Sequence, residues 1–219
     1  SNIYTPDSPA TYEQYAKRVV ELGQNILCSL EHGWQGKYHE CREIAIKYGL
    51  KFIFGTEAYW VKDRHEKDRT NCHIVLLAKN ENGRQWINEV LSTANEDGYY
   101  YRPRLDEELL FQLPPNDVFV TSACVAFWHY EPNYVENLVL RLHNHFKDNF
   151  MLEIQAHNTD KQKQLNARIL ELSKKYGIQM IVGLDSHYIY PEQSVERDAL
   201  LAASDIHYDD EDGWYMDYP

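Results

Sequence analysis

Short apolar runs alternating with stretches of helical period limit what this chain can fold into. The runs "NILCSL", "HIVLLAK", "DVFVTSA", "FMLEIQ" and "IQMIVGL" read as buried strands, and "KFIFGTEAYWV" reads as strand, turn and strand. A first helix is expected from Ser8-Pro9, as cap and first helical position, with Tyr12, Tyr15, Ala16, Val19 and Leu22 at helical spacing and Gly23 as the stop. Further helices are expected near Lys37 to Tyr48, Glu81 to Ala94, 133–147, 160–176 and 192–203. Strands and helices in this alternation imply parallel β/α units, for which a single closed β/α barrel is the most economical packing. No internal repeat or low-complexity linker interrupts the series.

In such barrels the chemistry gathers where strands end. The strand ends carry Glu31-His32 after "NILCSL", Glu57 after "FIFGT", Cys124 after "FVTSA", and Asp185 with His187 after "IVGL". An acid and an imidazole two positions apart on extended backbone point to one side, so Asp185 and His187 can reach one object. A metal ion is one reading of that pair, and a helix-capping turn beside an incidental histidine is the other. His73 is an exception, since it stands at the start of "HIVLLAK". Together these residues form a mixed nitrogen, oxygen and sulfur donor set suited to zinc, manganese or iron. Several close cations would tolerate so many acids, and a site of that kind suits phosphoester hydrolysis.

The charge balance narrows the field. A formal net charge of −12 and 34 acidic residues argue against a surface that grips duplex DNA by neutralising many phosphates, and fit a carboxylate site that needs cations. Cys28, Cys41, Cys72 and Cys124 are scattered without a C-x-x-C pair, so no disulfide framework is expected. No apolar run has the length of a membrane span and "SNIYTPDSPA" has no secretory character, which makes a cytoplasmic protein without a membrane partner the expectation. Ser1 at the start and the polar, aromatic "DEDGWYMDYP" at the end read as the edges of a piece of a longer chain.

The segments "CSLEHG", "GTEAYWV", "HIVLLAKNENG", "GYYYRPRLDEELL", "TSAC", "MLEIQAH" and "GLDSHYI" resemble, in order, the motifs of the polymerase and histidinol phosphatase (PHP) domain. The form they resemble is the one at the N-terminus of the bacterial DNA polymerase III alpha subunit. The likeness covers about residues 1–205, with 206–219 as the start of a following segment. It implies an α/β fold, a distorted (β/α)7 TIM-like barrel with its first strand truncated, and up to three divalent metals at the rim: zinc, manganese or iron, with magnesium also admitted. Carried over by motif, the implied ligands are His32, Glu57, His73, Cys124, Asp185 and His187. Asp7 is similar to the acid closing the family's first motif, although a loop Asp before a helix also reads as a cap.

Two departures stand out. The H-x-H pair of the family's first strand is not present, and Ser1-Asn2 resembles the sequence just after it, so one or two metal positions would be incomplete. Glu31 stands where the family usually has Asp, and a hydrogen bond from it to a ligand would survive with altered geometry.

The resemblance implies metal-dependent phosphodiester hydrolysis, in the form of a 3′-5′ exonuclease that proofreads a DNA 3′ end within a replicative polymerase. His32, Asp185 and His187 are the expected catalytic residues, and replisome proteins are reached through the parent chain. The alternatives are a scaffold that stabilises the polymerase or docks a separate exonuclease, and a free-standing small-molecule phosphatase. "AKNENGRQWINEVLSTA" and "YYYRPRLDEELL" resemble the polymerase branch. In the latter, Arg102 or Arg104 could pair a phosphate oxygen and Tyr100 stack on a base, or the run could be a packed loop. His157 follows a strand and reads either as a rim residue or as packed. His39, His65, His129, His143, His145 and His207 read as solvated or locally bonded, and "VKDRHEKDRTN" as a solvated loop.

Overall fold

The computed structural model describes residues 8–70 and 72–203, so Asp7 and the boundary expected near residue 205 lie outside the described residues. Thr11 opens the first helix, α1 (Tyr12–Glu21). Its hydroxyl accepts from the Gln14 backbone N–H at 3.3 Å while the Gln14 side chain accepts from the Thr11 N–H at 2.8 Å, a reciprocal capping box. Ser8 is therefore not the cap, and its hydroxyl accepts from the Ala10 N–H instead.

The elements that follow are β1 (Ile26–His32), α2 (Tyr38–Lys47), β2 (Lys51–Trp60) and β3 (Cys72–Ala78). Then come α3 (Glu81–Glu96), a small hairpin of β4 (Tyr99–Tyr100) and β5 (Arg102–Leu105), α4 (Glu107–Leu110), β6 (Val118–Thr121) and α5 (Pro132–Phe146). The series ends with β7 (Phe150–Gln155), α6 (Asp160–Tyr176), β8 (Met180–Gly183) and α7 (Ser194–Ala203). Among the described residues the strands form a curled sheet in which β1 pairs with β2 and the order then runs β2-β3-β6-β7-β8, with no ladder between β1 and β8.

Two features of this sheet differ from the sequence reading. "KFIFGTEAYW" is one continuous strand, not two joined by a turn. Gly55 is small because neighbouring strands crowd it: a Cβ there would meet Leu77 Cδ2 at 2.5 Å and Leu30 Cδ2 at 3.0 Å. The second difference is direction. β3 runs antiparallel to both β2 and β6, while β1–β2, β2–β5, β6–β7 and β7–β8 are parallel. A start of β3 consequently lies at the same rim as the ends of the parallel strands.

The main core packs α3, α5 and α6 on the sheet around Trp60, Ile74, Leu76, Phe127, Phe146 and Phe150, all essentially excluded from water. A smaller cluster of Ala16, Leu27, Cys41 and Ala45 seats α1 and α2 on β1. No helix among the described residues is long and apolar enough to cross a membrane.

The loop after β2 is exposed along most of its length, as expected, but it is pinned by two buried arginines, its own Arg64 and Arg104 of β5. Arg64, 7% exposed, reaches both oxygens of buried Asp106 at 2.8 Å and also bonds Asp97 and Glu108. Arg104, 4% exposed, donates to the backbone carbonyls of Gly98, Glu66, Asp68 and Arg64. These donors satisfy the carbonyls of a loop that has no ladder of its own. Replacing Arg64 with leucine leaves Asp106 as a buried carboxylate without its cation, and should cost about 3 kcal/mol in urea unfolding. A loss under about 1 kcal/mol, the range of an exposed ion pair, would show that the loop does not depend on this contact.

Candidate metal centre

Three neighbouring strands deliver the centre. His32 stands opposite Glu57 in the β1–β2 ladder, and Tyr59 opposite His73 in the β2–β3 ladder. Because side chains alternate along a strand, Glu57 and Tyr59 share a face, and His32 and His73 are brought to it from either side. Glu57 Oε2 lies 3.2 Å from His32 Nδ1, and Glu57 Oε1 lies 3.2 Å from His73 Nδ1. One donor atom from each of these residues falls within 4.8 Å of the others, close enough for a shared cation. The apparent exception of His73 is thus explained by the antiparallel direction of β3.

Two further segments border the cluster, one by contact with His73 and one across the cavity that His32 and Glu57 also line. Cys124, just after β6, places Sγ 3.4 Å from His73 Nδ1. Asp185 and His187 follow β8, with His187 Nδ1 3.8 Å from Asp185 Oδ1. They meet through a turn rather than by strand alternation, since Asp185 has φ 51° and His187 Nδ1 donates to the Asp185 carbonyl at 2.6 Å. That bond fixes the proton on Nδ1 and makes Nε2 the nitrogen able to ligate. Ala123, beside Cys124, also has φ 45°. Left-handed backbone at two non-glycine positions flanking one cluster is strain of the kind held at functional sites. Tyr15 of α1 fastens the second turn by donating its hydroxyl to the Ser186 carbonyl at 3.2 Å.

The electrostatics suit a bound cation. Burial works against the Glu57 carboxylate, but the His73 and His32 imidazoles outweigh it and hold the group well below the usual carboxylate range. Burial pushes Asp185 up, relieved only in part by His187 and aggravated by Glu57. Burial, then the charges of Glu57 and Asp185, push the Cys124 thiol well above its ordinary value. A divalent ion reverses the last two effects, because it stabilises carboxylate and thiolate together. The donor set of imidazole, carboxylate and thiol fits zinc, manganese or iron.

The remaining expected site residues fall elsewhere. Glu31 points to the opposite face of β1 from His32, where its Oε1 accepts from the Tyr12 hydroxyl at 2.5 Å, so its carboxylate is directed toward α1 rather than toward His32. Arg104 is not a substrate contact, since its guanidinium is spent on loop carbonyls. It lies over the Tyr100 ring, 5.3 Å from the centroid, which ties Tyr100 to the same structural loop. His157 is buried just past β7. Arg102 remains close to the centre, 5.5 Å over the ring of Tyr59.

Tyr59 and Glu153 were not singled out by the sequence reading. Tyr59 stacks on His32 with centroids 5.7 Å apart and meets His73 edge-on at 5.3 Å, so it walls both imidazoles. A cavity of about 450 Å³ lies beside the centre, between β1 and β8, lined by His32, Glu57, Asp185 and His187 on one side and by Thr121 and Glu153 at its base. Glu153 accepts from Thr121 Oγ1 at 2.7 Å and from Gln155 Nε2 at 3.2 Å. Gly183 makes room for it, since a Cβ there would sit 1.9 Å from Glu153 Oε1. The signal was an acid in the middle of the apolar run "FMLEIQ".

With this geometry in place, comparison with known proteins is decisive for the family: the PHP domain profile matches residues 1–157. The chain belongs to the PHP domain family. It is 29% identical over 213 residues to the DNA polymerase III subunit alpha of Aquifex aeolicus, a match covering 90% of this chain and 18% of that protein. It is 31% identical over 224 residues to the subunit alpha of Thermus aquaticus, covering 95% and 18%. The chain therefore spans less than a fifth of the length of these curated relatives. Among solved structures it is similar to an amidohydrolase from Chromobacterium violaceum with bound sulfate and no metal, at TM-score 0.55 and 14% identity over 90% of this chain and 94% of that one. It is also similar to a candidate metal-dependent phosphoesterase from Bifidobacterium adolescentis, at TM-score 0.53 and 13% identity over 84% and 85%. These two likenesses bear on the fold and agree with a PHP and amidohydrolase-like barrel.

Two outcomes test this PHP centre. Manganese or zinc at about 100 times its dissociation constant should stabilise the protein by about 2.7 kcal/mol, read as a melting shift of roughly 5–10 °C. Glu57→Gln should lose most of that shift, because the residue contacting both imidazoles no longer carries charge. The second outcome concerns Glu153, whose carboxyl is raised by burial and by the charges of Asp185 and Glu57. A raised carboxyl favours the folded state at acid pH and loses that contribution as pH rises through its folded value. In metal-free protein, the stability of Glu153→Gln relative to wild type should therefore increase from pH 4 to pH 7, and a pH-independent difference would contradict the assignment.

Proposed function

We propose that this PHP domain is a metal-dependent phosphoesterase that hydrolyses a phosphodiester at a DNA 3′ end, as the proofreading module of a polymerase III alpha-like chain in the cytoplasm. The observation that carries the reading is convergence: His32, Glu57 and His73 bring donor atoms within 4.8 Å of one another, Cys124 lies against His73, and Asp185 and His187 line the cavity beside them. A divalent ion bound there supplies Lewis acidity and a water of lowered pKa. The chain's own residues hold the rest of the chemistry in place. Glu57 faces the His32 and His73 imidazoles with one oxygen each, while the backbone bond of His187 fixes its tautomer. Tyr59 excludes water from one side of both imidazoles. The similarity to DNA polymerase III alpha subunits supports the nucleic-acid substrate and a replisome setting.

The test is nucleotide release from a 3′-labelled single strand by the full natural chain in manganese or zinc. Asp185→Ala and His187→Ala should each lower release by about two orders of magnitude or more. No release from folded, metal-loaded wild type would replace the enzyme reading with a scaffold whose ion serves stability. Rapid turnover of a small phosphate monoester with none of DNA would replace it with a free-standing phosphatase.

A further inference from the structure

The β4–β5 hairpin carries features that folding does not explain. Tyr100 pairs with Arg102, so the turn is a single residue, Tyr101. Tyr101 has φ 62°, a left-handed conformation that a bulky residue seldom adopts and that glycine would adopt without strain. Its ring gains little burial in return, being 61% exposed even with the Arg69 guanidinium 4.1 Å over one face, where Arg69 also hydrogen-bonds the hydroxyl. Tyr99, on the same hairpin, is 62% exposed. An exposed aromatic held in a strained turn is poorly accounted for by stability alone.

The hairpin is also rigidly mounted. Arg104 anchors its base through the carbonyls of Arg64, Glu66, Asp68 and Gly98, and Asp106 at its end is fixed by Arg64. Its charge is unusual as well. In a chain of net charge −12, Arg69 and Arg102 have no carboxylate partner among the described residues, whereas Arg64, Arg84 and Arg141 do. Arg102 lies over one ring, that of Tyr59, which in turn contacts both His32 and His73. The Arg102 guanidinium is therefore one aromatic ring away from the candidate metal centre.

We propose that this hairpin is a binding platform for single-stranded nucleic acid, with Tyr101 stacking on a base and Arg69 and Arg102 pairing with backbone phosphates. Aromatic faces interleaved with arginines suit a single strand, whose bases are free to stack, and they need no read-out of sequence. The local pair of arginines, held by aromatic rings and without a carboxylate partner among the described residues, is complementary to phosphate in a molecule whose overall charge repels it. The platform rests on the phosphoesterase reading for its purpose, since it would hold a strand whose end lies at the metal centre.

The experiment is fluorescence anisotropy of a fluorescein-labelled oligothymidylate with the full natural chain in calcium. Tyr101→Gly relaxes the turn, so it should fold at least as well as wild type by melting temperature, and it should bind on the order of tenfold more weakly. Arg102→Gln should weaken binding and reduce the slope of log affinity against log salt by about one phosphate contact. Arg42→Gln, an exposed arginine on α2 paired with Glu43, serves as the control for general charge and should change affinity less than twofold. Wild-type affinity in Tyr101→Gly and Arg102→Gln, or an equal loss in Arg42→Gln, would overturn the platform. Hydrolysis of bis(p-nitrophenyl) phosphate by wild type with manganese, which needs no strand contact, tests the phosphoesterase reading separately. Its failure beside intact binding effects would remove the catalytic purpose and leave the binding surface standing.

Discussion

Strand β2 is the constraint on which the site depends. It pairs with β1 along its first seven residues, with β3 along six, and with β5 at its end, so one strand fixes three neighbours at once. Glu57 sits where the β1 and β3 ladders overlap, with one carboxylate oxygen toward His32 and the other toward His73. The crowding at Gly55 keeps this strand in register, since any side chain there would separate it from Leu77 and Leu30. A slip of one residue would turn Glu57 to the other face and dismantle the centre.

The molecule contains two kinds of buried charge, and they are treated differently. Around Arg64 and Arg104, cations meet carboxylates and backbone carbonyls until their donors are used, which gives a loop the rigidity that a ladder would otherwise provide. Around Glu57 the acids and the thiol outnumber what the imidazoles can neutralise, and burial resists ionisation of Asp185 and Cys124. The first network is complete within the chain, whereas the second becomes favourable when an external cation joins it. Placing both on one side of the sheet puts a fixed hairpin beside a centre whose charge state depends on its ligand.

The motif residues were legible as chemistry before they were legible as geometry. Asp185 and His187 stood out because an acid and an imidazole end an apolar run, and the structure brings them together through a left-handed turn instead of strand alternation. His73 looked misplaced until the direction of β3 was known, because direction is set by pairing partners and not by the residues of the strand itself. Arg64 read as part of a solvated loop, and Arg104 as either a phosphate contact or part of a packed loop, since a sequence shows the cation and not the carbonyls that will surround it. Glu153 sat unremarked in an apolar run whose cavity-facing side only the curl of the sheet defines.

The α/β class, the order of the main elements, the family and the donor types available to a cation are all readable from the chain alone, because they follow from local periodicity and from residue chemistry. Tertiary structure decided which way β3 runs, that β2 is one strand, which face of β1 Glu31 occupies, and which arginines are spent on the fold. Each of these depends on contacts between residues far apart in the chain, and a side chain's environment there is set by neighbours that local pattern does not specify.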